Sequence, residues 1–423
     1  METFPKIPEP IILEHRLAEM MQDQKRVGWP LDVKKAQELE NTLLNRLEEL
    51  REATQAICSY VPGNSFTPKR DNIKQGYVKG CEMQRLKEFN ASSREHIAWW
   101  FKTFQDWNPN KLTPTGKPVI DETVLKEIGT DEALLFLEIL IIQKKLGMLS
   151  QGSNAWLKLV KDGRLHHSCF IGAATHRMAH ATPNLAQVSS DKDCRELFIT
   201  KPDWKLIDSD LAGIELRMFA HYLARYDGGR YADVLLNGDI HQENADKIGI
   251  TRRQVKTVTY CFLYGGGNQK LGLSYDNMLS PEEAKKKGAE IRKAYMEAIP
   301  GLKDLVEATK KKATEKGTIR SIDGREIHVN SGHKALNFLL QSSAGVVAKR
   351  WCLLTDENLK ISNFEHERYA FVHDEQVLAS PRSLAKYVAF TCKMSAAQAG
   401  EYYKLRIPIA ADANIGDNWA EVH

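Results

Sequence analysis

Four carboxylates fall in two short segments of the sequence. Asp210 and Glu215 lie in IDSDLAGIELR, and Asp374-Glu375 lie in YAFVHDEQVLAS beside His373. Asp and Glu are depleted in strands, yet YAFV and QVLAS both read as short β runs flanking His373-Asp374-Glu375. The first segment reads as a strand ending at Asp208 or Asp210 and passing at once into a helix, with Glu215 one turn in. Taken singly, each has an ordinary explanation as a turn residue or a helix N-cap. Taken together, Asp210 at a strand end and Asp374 at a hairpin tip can meet if their strands share a sheet. Converging carboxylates repel unless cations neutralise them. Aspartates from separate strands around hard, oxygen-liganded ions form the layout of two-metal phosphoryl transfer.

Between these segments lies TRRQVKTVTYCFLYGGGN, Thr251 to Asn268. Arg252, Lys256, Tyr260 and Tyr264 recur every four residues, and steps of four on an α-helix drift only about 40° each. They form one stripe of two cations and two aromatics, ending at Gly265-Gly266-Gly267. That pattern suits neither a packed core nor a purely solvated face. It suits a nucleotide laid along the helix, with Arg252 and Lys256 on phosphates and Tyr260 on sugar and base. Tyr264 is placed to stack on a template base. His241, in NGDIHQENA, is a further candidate phosphate donor.

The elements that must position these groups follow from the pattern. IILEHRLAEMMQDQKR reads as an amphipathic helix stopped at VGWP, and Leu39, Leu43, Leu47 and Leu50 keep helical spacing in the next one. VPGNSFTPKRDNIKQGYVKG reads as an extended polar loop, and Ser92 or Ser93 as the N-cap of SSREHIAWWFKTF. WLKLV and RLHHSCF suggest a hairpin turning at KDG, and SIDGREIHVNS a second with Asp-Gly at its turn. HKALNFLLQSSAGVVAKRWCLLTDENL is a helix preceding the His-Asp-Glu hairpin.

The 423 residues are 42% hydrophobic and 27% charged, with a net charge of +4, which is ordinary globular composition. No apolar run approaches the roughly 18 residues of a membrane span, and the N-terminus lacks a signal-peptide layout. Seven scattered cysteines suggest reduced thiols and exclude a thiolate zinc site. The basic stretch Lys69, Arg70, Lys74, Lys79, Arg85 and Lys87 is the strongest charge feature.

The three chemistry-bearing segments resemble motifs A, B and C of family A DNA polymerases. DLAGIELR from Asp210 is similar to D-x-S-x-x-E-L-R. RRQVKTVTYCFLYG from Arg252 is similar to R-x-x-x-K-x-x-x-F/Y-x-x-x-Y-G, and His373-Asp374-Glu375 to H-D-E. THRMAHATPNLAQVSS and HKALNFLLQSSAG also resemble family segments, and the likeness is nearest to replicative polymerases of short-tailed bacteriophages. It covers nearly the whole chain. It implies an α+β, mainly helical right-hand fold with thumb, palm and fingers, the palm being an antiparallel sheet. The implied division is a helical lead-in at 1–34 packing on the palm, a thumb at 35–160 with a short basic loop at 61–89, palm at 161–215, fingers at 216–345 and palm again at 346–423.

The resemblance also implies roles. Asp210 and Asp374 would bind two Mg2+, for which Mn2+ can substitute, with Glu375 supporting the site. His241, Arg252 and Lys256 would hold the triphosphate, and Lys256 would protonate the leaving group. Tyr260 would contact the sugar, and Glu215 would exclude a ribose 2′-hydroxyl. Arg177, Tyr264, Asn337, Gln341 and His373 would contact DNA, some of them in the minor groove, whose acceptors barely distinguish A·T from T·A. A related single-subunit RNA polymerase would carry H-D-S and lack a gate glutamate, so Glu215 and Glu375 speak against it. A non-catalytic accessory protein would not need intact Asp210, Asp374, Arg252 and Lys256.

Three departures from the family pattern stand out. Ala212 replaces a common Ser, and His176 stands where T-G-R has Gly. The proofreading D-x-E motif of relatives is missing from the chain, which implies extension without intrinsic proofreading and leaves room for a separate exonuclease. The basic loop is shorter than the insertion of the thioredoxin-using relative, so thioredoxin is not expected, although another processivity factor has a place to dock. The expected partners are primer–template DNA and deoxynucleoside triphosphates, with the chain a monomer in the host bacterial cytoplasm and away from membranes.

Overall fold

The computed structural model describes residues 7–109, 111–113, 115–277 and 279–423. The chain divides into two compact units, one of Met1–Val33 with Leu159–His423 and the other of Lys34–Lys158. No helix among the described residues is long and apolar enough to cross a membrane.

The larger unit is built on a four-stranded antiparallel sheet in the order Glu367–Val372, Glu375–Pro381, Trp204–Leu211, Ala411–Gly416. The Trp204–Leu211 strand is central and its side chains alternate between faces. Ile207 and Leu211 belong to the hydrophobic core with Phe371, Leu378 and residues of the helices Ala335–Ile361 and Ala385–Tyr402. Within that core the Trp351 indole donates to the Cys392 carbonyl at 2.8 Å. Asp208 and Asp210 therefore lie on the face away from these helices. The IDSD run is half core and half site, which accounts for acidic residues in a central strand.

The helix Glu9–Val27 buries Leu13, Leu17, Met20 and Met21 in the same core. It is also fastened by charge. Lys349, 1% exposed on the long helix, donates to both Glu14 oxygens at 2.7 and 2.8 Å. Arg325 pairs with Glu14 too and holds Asp323 at 2.8 Å, so the turn of the Thr318–Arg320/Glu326–His328 hairpin joins the cluster.

In the smaller unit the helix Val33–Ile57 buries Leu43, Leu47 and Leu50. The helices Arg94–Phe104 and Asp131–Leu146 start at N-caps Ser93 and Thr130. Trp100, Phe101 and Phe136 form their aromatic core. The segment expected to be an extended loop is instead a strand pair, Tyr60–Phe66 against Met83–Glu88. Pro62 and Gly63 sit at its register shift and nearly all its side chains are exposed, so no apolar alternation marked it. Lys69, Arg70, Lys74, Lys79, Arg85 and Lys87 are all exposed along it, and Arg85 lies 4.9 Å over the Phe66 ring. The expected WLKLV strand is a short helix, Trp156–Leu159. Only Lys161 and Arg164 bridge across the Asp162-Gly163 turn before the strand Arg164–Leu165.

Removing Glu14's charge leaves a buried ammonium without its counter-ion. Glu14→Gln is expected to cost about 3 kcal/mol of stability, read from urea unfolding midpoints. Adding Lys349→Met should recover most of that loss. A single-variant cost below about 1 kcal/mol would show that the cluster does not fasten the helix.

Candidate active site

The register places the acidic residues side by side. Asp210 is the Cα partner of Glu375 on one neighbouring strand and of Asp412 on the other. Paired residues project to the same face, so three carboxylates form a row across the sheet. The fourth comes from the turn. Val372 pairs with Glu375, leaving a two-residue connection of His373 and Asp374. His373 takes φ +56°, the positive-φ first position such tight hairpins require. The Asp374 carbonyl accepts from the Leu211 amide at 3.0 Å, tying the hairpin tip to the end of the Asp210 strand. Gly213, at φ +57°, then turns the chain into the helix Ile214–Asp227, with Glu215 in its first turn.

Burial and crowding together raise the Asp210 and Asp374 carboxyls. Asp210 is pushed up to about 7 by burial and then by Asp374 and Glu375. Asp374 is pushed up to about 6 by burial and then by Glu215, against the pull of Arg177. Deeper on the same face, Asp208 and Glu375 are buried together and both are raised, chiefly by burial. The Trp419 indole donates to Glu375 at 3.3 Å, and His423 Nδ1 lies 3.4 Å from Asp208. Ligand atoms of Asp208, Glu375 and His423 fall within 4.8 Å of one another. That group mixes two carboxylates with an imidazole, whereas Asp210 and Asp374 offer carboxylate oxygens alone, the donors that suit a hard divalent cation.

The helix Arg252–Leu263 begins at a Thr251–Gln254 capping box. Arg252 Nε donates to Asp239 at 2.6 Å, and Asp239 also caps the helix Ile240–Ile248 by accepting from the His241 and Gln242 amides. Arg252 and His241 are thus brought to one place. Buried His241 Nδ1 has no hydrogen-bond partner among the described residues. Lys256 is exposed one turn on. Tyr260 is half-buried with its ring 6.4 Å from that of His241. Its phenol is raised by burial and by the nearby charges of Glu215 and Asp374.

Tyr264 is the C-cap of this helix, its amide still donating to the Tyr260 carbonyl at 2.9 Å. Its hydroxyl donates to Glu215 Oε1 at 2.6 Å, and Arg177 donates to the same oxygen at 2.7 Å. Asn337 is buried and donates to the Leu263 carbonyl at 2.9 Å, while Gln341, one turn on along the same helix, is partly exposed. The glycines are steric necessities. A Cβ on Gly265 would stand 3.3 Å from Asn337, and one on Gly266 only 2.8 Å from the Cys261 carbonyl oxygen. His373 packs edge-on to His180, with centroids 6.2 Å apart.

The description DNA polymerase family A matches residues 66–421. The chain belongs to DNA polymerase family A. Membership makes it a DNA-directed DNA polymerase. It is 32% identical to the DNA-directed DNA polymerases of Enterobacteria phage T3 and Escherichia phage T7, over 98% of this chain and 70% of each relative. It is 27% identical to DNA polymerase I of Pseudomonas aeruginosa, over 74% of this chain and 36% of that one. Its fold matches the POL domain of Pol1 from M. smegmatis, in complex with DNA primer-template and dNTP, with a TM-score of 0.75 and 18% identity over 96% of this chain and 70% of that one. The right-hand fold expected from the sequence is the fold of this polymerase.

Sequence reasoning missed several residues of the polymerase's acidic face. Asp412 comes from a strand with no motif of its own. Asp208 was visible, since i and i+2 on a strand share a face, but it read only as an alternative to Asp210. Arg195, 4.9 Å over the Trp419 ring, and His423 carried no signal.

A carboxyl whose pKa is higher folded than unfolded, where it is about 4, favours the folded state while protonated. That contribution is complete below about pH 4 and is lost as pH rises past the folded values of about 6 and 7 for Asp374 and Asp210. With a chelator present, the melting temperature of wild type relative to Asp210→Asn should fall as pH is raised from 4.5 to 8. A constant difference across that range would mean that the crowding does not act on Asp210.

Proposed function

We propose that the chain extends a primer 3′ end on a DNA template with deoxynucleoside triphosphates, in an active site assembled on Asp210 and Asp374. The observation that carries this reading is their convergence at one strand end, with the Arg252–Leu263 helix close enough for Tyr260 to feel the charges of Glu215 and Asp374. Asp210 and Asp374 would hold two Mg2+ ions, which when bound supply an activated 3′-hydroxyl and neutralise charge on the phosphates. Mn2+ suits the same ligands.

The chain's own residues do the rest. Arg252, Lys256 and His241 receive the triphosphate, and Arg252 exchanges its contact with Asp239 for a phosphate oxygen. The primer hydroxyl attacks the α-phosphate and pyrophosphate leaves, with Lys256 giving a proton to the departing oxygen. Glu375, paired with Asp208, holds the hairpin tip instead of serving as an obligatory ligand. Tyr260 lies against the sugar, and Glu215 closes the space a 2′-hydroxyl would need. Arg177, Asn337, Gln341, His373 and Tyr264 meet the primer–template. Tyr264 occupies the Glu215 contact until a template base takes its place.

In this reading, residues 35–160 are the thumb, whose exposed basic strand pair meets phosphates electrostatically. Residues 161–215 and 346–423 are the palm, 216–345 the fingers and 1–34 a helical lead-in. The lack of a D-x-E motif in these residues supports extension without intrinsic proofreading and leaves room for a separate exonuclease. The likeness to phage relatives supports viral DNA replication in the bacterial cytoplasm.

The test is extension of an end-labelled primer with Mg2+ and the four deoxynucleotides, beside Asp374→Asn. Full-length product from wild type and a rate lowered by about a thousandfold or more in the variant are expected. No extension by either protein, with primer–template still bound tightly, would favour an accessory protein.

A further inference from the structure

His176 stands where the family pattern has glycine, and its geometry shows what a side chain there does. It lies in the turn between the paired strands Ser168–Ile171 and Met178–Ala181. The turn is closed by its amide donating to the Ala173 carbonyl at 2.8 Å. Its φ is +59°, the left-handed region that disfavours L-residues other than Asn and Asp. A glycine would adopt that conformation freely. The imidazole instead contributes a contact: Nδ1 lies 3.0 Å from the Ser342 hydroxyl on the long helix.

That contact is anchored. Ser342 is fully buried and donates to Ser321 at 3.0 Å. Burial keeps the His176 pKa low, so the ring is neutral, and with the Ser342 proton given to Ser321 the ring's Nδ1–H donates to Ser342. One turn along the same helix, Gly345 lets the backbone of the turn come close, and a Cβ there would stand 3.3 Å from Arg177 Cγ. The turn is therefore pinned at Ser342 and seated over Gly345. The next residue, Arg177, carries its guanidinium to Glu215 at 2.7 Å.

We propose that His176 is a positioning residue for sugar selection: by pinning this turn to Ser342 it sets where Arg177 holds Glu215, and so how tightly Glu215 closes against a ribose. This rests on the reading of Glu215 as the group that excludes a 2′-hydroxyl.

The experiment measures kcat/KM for single deoxy- and ribonucleotide incorporation by wild type, Glu215→Ala, His176→Gly, Ser342→Ala and the double variant His176→Gly/Ser342→Ala. His176→Gly retains the turn's backbone conformation, so its melting temperature should match or exceed that of wild type. Its deoxy-to-ribo preference should fall about fivefold, the order one neutral hydrogen bond supports. Ser342→Ala should fall by a similar factor, and the double variant no further. If Glu215→Ala loses discrimination while His176→Gly and Ser342→Ala keep or raise it, the proposal is overturned and the Glu215 reading stands. If Glu215→Ala itself keeps the wild-type preference, that reading falls and the role of His176 in sugar selection falls with it.

Discussion

Mutual repulsion among carboxylates on one sheet face is the constraint around which this polymerase is arranged. Asp210 has Glu375 and Asp412 as its direct cross-strand partners, and the Asp374 turn is hydrogen-bonded to the end of the same strand. Like charges directly opposite destabilise a sheet pair. The cross-strand bonds hold because the other face of the same strands is deeply buried, with Ile207, Leu211, Phe371 and Leu378 in one core with the two long helices. The sheet is stable from behind and electrostatically frustrated in front. That frustration, added to burial, raises Asp208, Glu375 and Asp210 above the ordinary carboxyl range, so all three take protons more readily than free carboxyls.

The surroundings make the frustration specific. Glu215 adds a further negative group at the site's edge, answered by Arg177 and Tyr264 on one of its oxygens. Tyr264 follows the helix that carries Arg252, Lys256 and Tyr260, so the state of Glu215 is mechanically linked to that helix. Arg252 is likewise committed to Asp239. Both contacts are ones that a polyanionic ligand and a template base could exchange for their own. Of the two, the Arg252–Asp239 ion pair is exposed, and exchanging an exposed pair costs little.

Much of this was legible in the sequence because chemistry had displaced propensity. Acidic residues inside a β run, and cations with tyrosines at every fourth helical position, are patterns that packing alone does not produce. The strand-to-helix junction at Asp210 and the two-residue turn at His373 follow from that reading. What stayed hidden depends on pairing across the chain. Asp412 reaches the site only because its strand lies beside the Asp210 strand, and no local pattern states that register. The strand pair at residues 60–88 is exposed on both faces, so it lacks the alternation that reveals a strand. The four-residue stripe put Tyr264 at the end of the helix, where it is the C-cap, and a left-handed Gly265 turns the chain away just after it; that its hydroxyl meets Glu215 depends on pairing across the chain.

The account's central claim is that the acidic face is a cation site built from Asp210 and Asp374 together. The most direct measurement is the number of Mn2+ ions bound by the polymerase in complex with a dideoxy-terminated primer–template and the next correct nucleotide, counted by electron paramagnetic resonance. Two ions should bind to wild type beyond those the nucleic acid and nucleotide hold alone. Asp210→Asn and Asp374→Asn should each lose at least one while still binding primer–template. An undiminished count in both variants would place the cations elsewhere and contradict the account.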